Sequence, residues 1–235
     1  MKIIPAIDII DGKCVRLSEG DYDTQKIYGD PLEMALAFEE SGIQYLHLVD
    51  LDGAKAGKVI NLKTIAAVCQ TGLIVDFGGG VKSRYDLELV LNAGVSKVTL
   101  GSIAVENPAL CREWISEFGA EKFILGADCL NRKIKTSGWL QDSDLDVIEL
   151  ISSFEDTGIR EVICTDISKD GMLAGPSVQL YTDILKNTQI DLIASGGISS
   201  VEDLLNLKEI GCRGAIIGKA IYENKISLND LKEFI

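Results

Sequence analysis

Three observations predict a closed (β/α)₈ barrel made of two copies of one half. Short apolar runs alternate with amphipathic stretches along the whole chain, and strict strand–helix alternation requires parallel strands. The pattern is also written twice. Setting Gly80 on Gly197, 197 − 80 = 117, places Ser83 on Ser200, Asp86 on Asp203, Gly94 on Gly211 and Gly101 on Gly218. Finally, 235 residues with no Pro-, Gly- or Ser-rich linker suit eight βα units in one domain, with halves of about 1–120 and 121–235. A duplicated four-unit half closes naturally on its copy; an open doubly wound sheet is the rival.

The elements follow in order. Residues 2–8 form the first strand, ending in Asp8, and residues 9–30 form a polar segment that is long for a βα connection and so points to function. Asp30-Pro31 supplies an N-cap and a first-turn proline for a helix that Gly42 stops. Strands at 46–50, 73–77 and 97–100 complete the first half, with a helix over 61–71, another capped by Ser83 and Asp86, and a third from Asn107-Pro108. The second half has strands near 123–128, 161–165, 191–195 and 214–217 and helices near 144–157, 177–187, 200–211 and 227–234, with an extra stretch at 132–139.

Composition excludes several classes of function. The net charge is −13 with no basic block, which argues against a nucleic-acid partner. Six cysteines form no C-x-x-C pair and sit among aliphatic residues, and one histidine leaves no cluster of metal ligands. No apolar run approaches a membrane span, and no signal peptide is read, so the expected compartment is the cytoplasm.

In such a barrel the loops after the strands form the active face. Strand ends one, two, five and six carry Asp8, Asp50, Asp128 and Thr165-Asp166, with Asp170 just beyond. Asp8 and Asp128 are equivalent in the two halves, 128 − 8 = 120, and face each other across the mouth, where two carboxyls can divide acid and base roles. Gly79-Gly80 with Gly101-Ser102, and Gly196-Gly197 with Gly218-Lys219, form two matched glycine-bearing pairs of strand ends. Backbone amides and helix N-termini there suit phosphate without net positive charge. The inferred ligand therefore has a phosphate at each end and its reacting centre between the acids. His47 reads as a hydrogen-bonded interior residue, Trp114 as packing, and Lys55 and Lys58 as solvated.

Ile4-Pro5-Ala6-Ile7-Asp8, Gly12-Lys13-Cys14-Val15-Arg16-Leu17, Val49-Asp50-Leu51-Asp52-Gly53-Ala54, the two glycine sites and Thr165-Asp166-Ile167-Ser168-Lys169-Asp170-Gly171 resemble the histidine-biosynthesis isomerase family over essentially the whole chain. The resemblance implies a cofactor-free Amadori rearrangement of a bisphosphate aminoaldose to its aminoketose. It implies Asp8 as the base at C2′, Asp128 as the acid at the ribose ring oxygen, and Thr165 and Asp170 as sugar contacts assisting proton transfer. Arg16 and its segment would close over substrate, Trp139 would stack on a heterocycle, and Gly175 would join the phosphate-binding glycines. A monomer is expected. The chain departs from the family's commoner residues at Lys82 (Arg), Asp76 (Gln) and Cys129-Leu130-Asn131 (an Ala-Arg stretch). Relatives offer alternatives: a cyclase fed ammonia by a glutaminase partner, or a bifunctional isomerase that also accepts phosphoribosyl anthranilate. A non-catalytic phosphosugar sensor is the reading from another class.

Overall fold

The computed structural model describes residues 1–234. The chain opens with β1 (Lys2–Ile10) and an antiparallel hairpin of β2 (Lys13–Ser18) and β3 (Asp21–Gly29), then α1 (Pro31–Glu40). β4 (Tyr45–Asp50), α2 (Leu51–Ala56), α3 (Leu62–Val68), β5 (Ile74–Gly78), α4 (Arg84–Asn92), β6 (Lys97–Leu100), α5 (Ser102–Glu106) and α6 (Pro108–Phe118) complete the first half. The second half has β7 (Phe123–Gly126) and a small sheet of β8 (Cys129–Leu130), β9 (Lys133–Thr136) and β10 (Gln141–Asp146). It continues with α7 (Val147–Phe154), β11 (Glu161–Thr165), α8 (Val178–Asn187), β12 (Asp191–Ser195), α9 (Val201–Glu209), β13 (Gly214–Ile217) and α10 (Lys219–Tyr222).

The predicted barrel is closed. Parallel pairing runs β1-β4-β5-β6-β7-β11-β12-β13 and returns from β13 to β1, with Lys2 opposite Gly214 and Pro5 opposite Ile217. Inside lie Ile4, Ala6, Ile124, Ile163, Ile193 and Ile216; the larger core, including Phe77, Trp114 and Phe154, fills the layer between strands and helices. At the bottom, Glu161 accepts from both Lys2 and Lys97. The expected caps form: Ser83–Asp86 and Ser200–Asp203 each make a reciprocal capping box, and Asp30 accepts from the N–H groups of Leu32 and Glu33.

Three stretches differ from expectation. β1 runs past Asp8, and the polar segment after it is a hairpin laid on the barrel wall, with Asp8 opposite Val15. Near the mouth this hairpin pairs with β1 where β13 has ended, so β2 becomes part of the cavity lining. Residues 141–146 form a strand, leaving α7 to start at Val147 behind an Asp146–Glu149 capping box. The expected helix over 227–234 is a 3₁₀ turn, Asp230–Phe234.

Candidate active site

At the C-terminal ends of the strands lies a cavity of about 210 Å³. Asp8, Arg16, Gly79, Gly80, Gly101, Ser102, Asp128, Trp139, Thr165 and Asp170 all border it. Asp8 and Asp128 thus share one space, at the first strand of each half.

Arg16 lies between the carboxyls. Its Nη1 donates to Asp8 Oδ2 at 2.7 Å, and Nη2 lies 3.8 Å from Asp170 Oδ1. The sequence places Arg16 eight residues from Asp8, and the hairpin folds it back onto the same wall rather than over the mouth. Burial works against the guanidinium charge, and Asp8 and Asp170 more than restore it. Its Nε is buried without a partner.

Burial pushes the Asp170 carboxyl up to about 6; Arg16 opposes the shift, and Asp8 and Asp128 reinforce it. A carboxyl in that range can hold a proton to give. Because the folded state binds this proton more tightly than the unfolded chain, the stabilisation is fully present below the unfolded value of 3.8 and is lost as pH rises through about 6. Asp170→Asn should therefore gain stability relative to the natural chain between pH 4 and 7, by roughly 3 kcal/mol at most. Urea titrations across that range check it, and a constant difference between the two proteins would contradict the shift.

Asp128 accepts the indole Nε1–H of Trp139 at 2.8 Å. The Trp139 ring covers Gly20 so closely that a Cβ there would overlap it, so the tips of the two hairpins meet above the cavity. Glu19, Ser137 and Trp139 carry positive φ of 51°, 54° and 71° in these tips, a conformation that costs L residues about 1 kcal/mol or more each.

The two glycine sites are built alike but open differently. Gly79, Gly80, Gly196 and Gly197 all have positive φ, between 83° and 102°. A Cβ on Gly79 would strike the carbonyl of Asp50, and on Gly196 that of Asp166; Gly80 meets Lys58 O, and Gly197 meets Gly175 O. These glycines are thus required first by loop packing, a demand that spacing alone does not reveal. The first site faces the main cavity beside the N-terminus of α5. The second borders a space of only about 20 Å³, where Lys219 Nζ is held by Gly171 O at 2.8 Å and Ser18 Oγ at 3.2 Å. Gly175 lines neither space; its N–H donates to Gly197 O and braces that loop.

A family profile described as histidine biosynthesis protein matches residues 2–227. The chain belongs to the histidine biosynthesis protein family. Among its relatives, a Flavobacterium psychrophilum protein is 57% identical over 238 residues, covering 100% of this chain and 99% of that protein. Proteins of Flavobacterium johnsoniae, 56% identical, and Parabacteroides distasonis, 52% identical, match over the same shares of both chains. All three are named 1-(5-phosphoribosyl)-5-((5-phosphoribosylamino)methylideneamino)imidazole-4-carboxamide isomerase.

Within this family's barrel, Gly101 probes the first anion site. Its Cβ position is open for 4 Å and it borders the cavity, but its φ/ψ of −88°/−111° lies outside the regions that L residues favour. Gly101→Leu should cost about 1–3 kcal/mol of stability for the strained backbone and raise KM about tenfold or more with a smaller change in kcat, because grip on a remote phosphate is largely uniform binding. A fall in kcat alone would place the phosphate elsewhere.

Two residues escaped the sequence reading as working parts. Asp50, fully buried, accepts from the backbone N–H groups of Gly53, Ile60 and Asn61 and from Asn61 Nδ2, and so builds the loop under Gly79 instead of facing the ligand. Asp76 is paired with His47 inside the barrel, directly across from it on the neighbouring strand.

Proposed function

We propose that this chain is an isomerase of histidine biosynthesis. Its reaction would be the Amadori rearrangement of the bisphosphate aminoaldose N′-(5′-phosphoribosyl)formimino-5-aminoimidazole-4-carboxamide ribotide to the aminoketose. The observation that carries the reading is full-length similarity, at 57% identity, to proteins named for an isomerase of a doubly phosphoribosylated imidazole carboxamide. The geometry supports it. One cavity holds Asp8, Asp128, Thr165 and Asp170, with a glycine cradle opening on one side and its copy closing the other.

In this reading the ring oxygen takes a proton from Asp128 and the ribose opens. Asp8 removes the C2′ proton, C1′ gains one, and the C2′ hydroxyl becomes the carbonyl. No atom is lost, so proton transfers alone account for the chemistry and the proposal calls for no cofactor. Trp139 holds Asp128 by Oδ2 and leaves Oδ1 to carry the proton; on releasing it, the indole would be free to stack on the heterocycle. Asp170, with its raised pKa, is suited to supplying the second proton, and Thr165 to hydrogen-bonding the sugar. At the second cradle a phosphate on Gly196, Gly197 and Gly218 would draw Lys219 away from Gly171 O. We place the enzyme in the cytoplasm as a single-domain monomer.

Turnover of the aminoaldose bisphosphate by the purified chain, without ammonia or glutaminase, tests the reading. Conversion to the ketose is expected. Binding without conversion would favour a phosphosugar sensor, and ring closure of the ketose on adding ammonia would favour the cyclase. Phosphoribosyl anthranilate, tested in parallel, decides the bifunctional alternative.

A further inference from the structure

Laying one half of the barrel on the other exposes an asymmetry in its interior. His47 on β4 stands where the copy has Ile163, 163 − 47 = 116; Asp76 on β5 matches Ile193, 193 − 76 = 117; Thr99 on β6 matches Ile216, 216 − 99 = 117. Strand register agrees, since His47 lies opposite Asp76 as Ile163 lies opposite Ile193. The copy fills all three positions with isoleucines of the inner cluster. The same backbone therefore closes with apolar side chains, and an imidazole, a carboxyl and a hydroxyl there give up solvation that isoleucine never had.

These three polar groups are organised around Asp76. Its Oδ1 accepts the Nδ1–H of His47 at 2.5 Å and the hydroxyl of Thr99 at 3.3 Å. His47 and Thr99 border the main cavity, whereas Asp76 stands behind them. Nδ1 is committed to Asp76, and Arg16 Nε is the sole buried side-chain nitrogen without a partner among the described residues. Nε2 of His47 is thus neither bonded nor sealed off, and it faces the open cavity.

The charged groups around the ring are acidic: Asp76 from β5, Asp8 from β1 and Asp128 beyond β7. The nearby cations are engaged elsewhere, Arg16 with Asp8, Lys82 with Glu106, Lys97 with Glu161 and Lys135 with Asp142. Burial works against a charged ring, but the charge and hydrogen bond of Asp76 outweigh it, so the His47 pKa lies above its ordinary value.

We propose that Asp76, braced by Thr99, keeps His47 as an imidazolium whose Nε2–H donates to an oxygen of the bound aminoaldose, making Asp76 a positioning residue for the rearrangement. The ligand in this statement rests on the isomerase reading; the state of the ring does not. A cationic donor held in place before the reaction stabilises an oxygen that gains charge in the transition state, as the ribose ring oxygen does when its bond to C1′ breaks.

His47 is the chain's single histidine, so its ¹⁵N–¹H imidazole signals need no assignment. In the free natural chain both ring nitrogens should stay protonated through neutral pH. In Asp76→Asn and Asp76→Gln the ring should titrate at lower pH, with thermal unfolding showing that both variants fold. Substrate should shift the Nε2 signal in the natural chain. In both variants kcat/KM should fall about 10- to 100-fold, as for a lost hydrogen bond to a charged group, with the alkaline limb of its pH profile moved down. A ring that is neutral at pH 7 in the natural chain, or that titrates identically in the variants, overturns the proposal. If the natural chain does not turn the aminoaldose over, the isomerase reading falls instead, and the ring titration still decides whether Asp76 holds the charge.

Discussion

Asp8→Asn should leave the barrel folded and the bisphosphate bound while turnover falls about 10²–10⁴-fold, the usual contribution of a positioned proton transfer. Asn keeps the shape of the side chain and an oxygen for Arg16 Nη1, and Arg16 keeps Asp170 nearby, so the wall of the cavity has no reason to collapse. What Asn cannot do is accept the C2′ proton. The loss should therefore appear in kcat, with KM close to that of the natural chain and with an unfolding midpoint little changed. Substantial activity in this variant would remove Asp8 as the base.

Asp50→Ala should fail for the opposite reason. Four donors converge on this one buried carboxylate, and it caps α2, so alanine strands several polar groups at once. At about 1–3 kcal/mol for each buried group left unpaired, with partial relief by water, a loss on the order of 3–5 kcal/mol follows. For a chain of this size each kcal/mol moves Tm by about 2–4 °C, so the midpoint should drop by roughly 10 °C. The contrast between the two aspartates separates chemistry from construction. Asp8→Asn should spare stability and sharply lower turnover, whereas Asp50→Ala should lower stability first. An unchanged Tm in Asp50→Ala would show that the loop beneath Gly79 does not depend on its cap.

The barrel was legible because its strands are buried on both faces and read as apolar runs ending in glycine or acid. Strands 97–100, 161–165, 191–195 and 214–217 fall where the sequence puts them. The hairpin of β2 and β3 was not legible. Most of β3 is solvent-exposed, so its pattern carries little alternation, and it is a strand only because β2 offers it a partner. Gln141–Asp146 is hidden for the same reason, as a polar strand fixed by its neighbour β9. In the site, doubling disclosed Asp8 opposite Asp128 and the paired glycines, since offset alone finds them. Doubling could not place Arg16, which reaches the acids through the hairpin's return. Nor did it report the unequal opening of the two cradles, which depends on Lys219 and on Arg16, whose guanidinium lies against Gly218 at the second cradle, and not on the repeated residues. The His47–Asp76 pair lay within reach: comparing the inward positions of the two halves would have set it against isoleucines.

The most direct test of the chemistry is exchange at C2′. Held in D₂O with the aminoaldose and aminoketose at equilibrium, the natural chain should replace the C2′ hydrogen of the aldose with deuterium. Asp8→Asn should bind the same sugar and leave that hydrogen in place. Exchange in Asp8→Asn at the rate of the natural chain would contradict the account, because some other group would then be taking the proton.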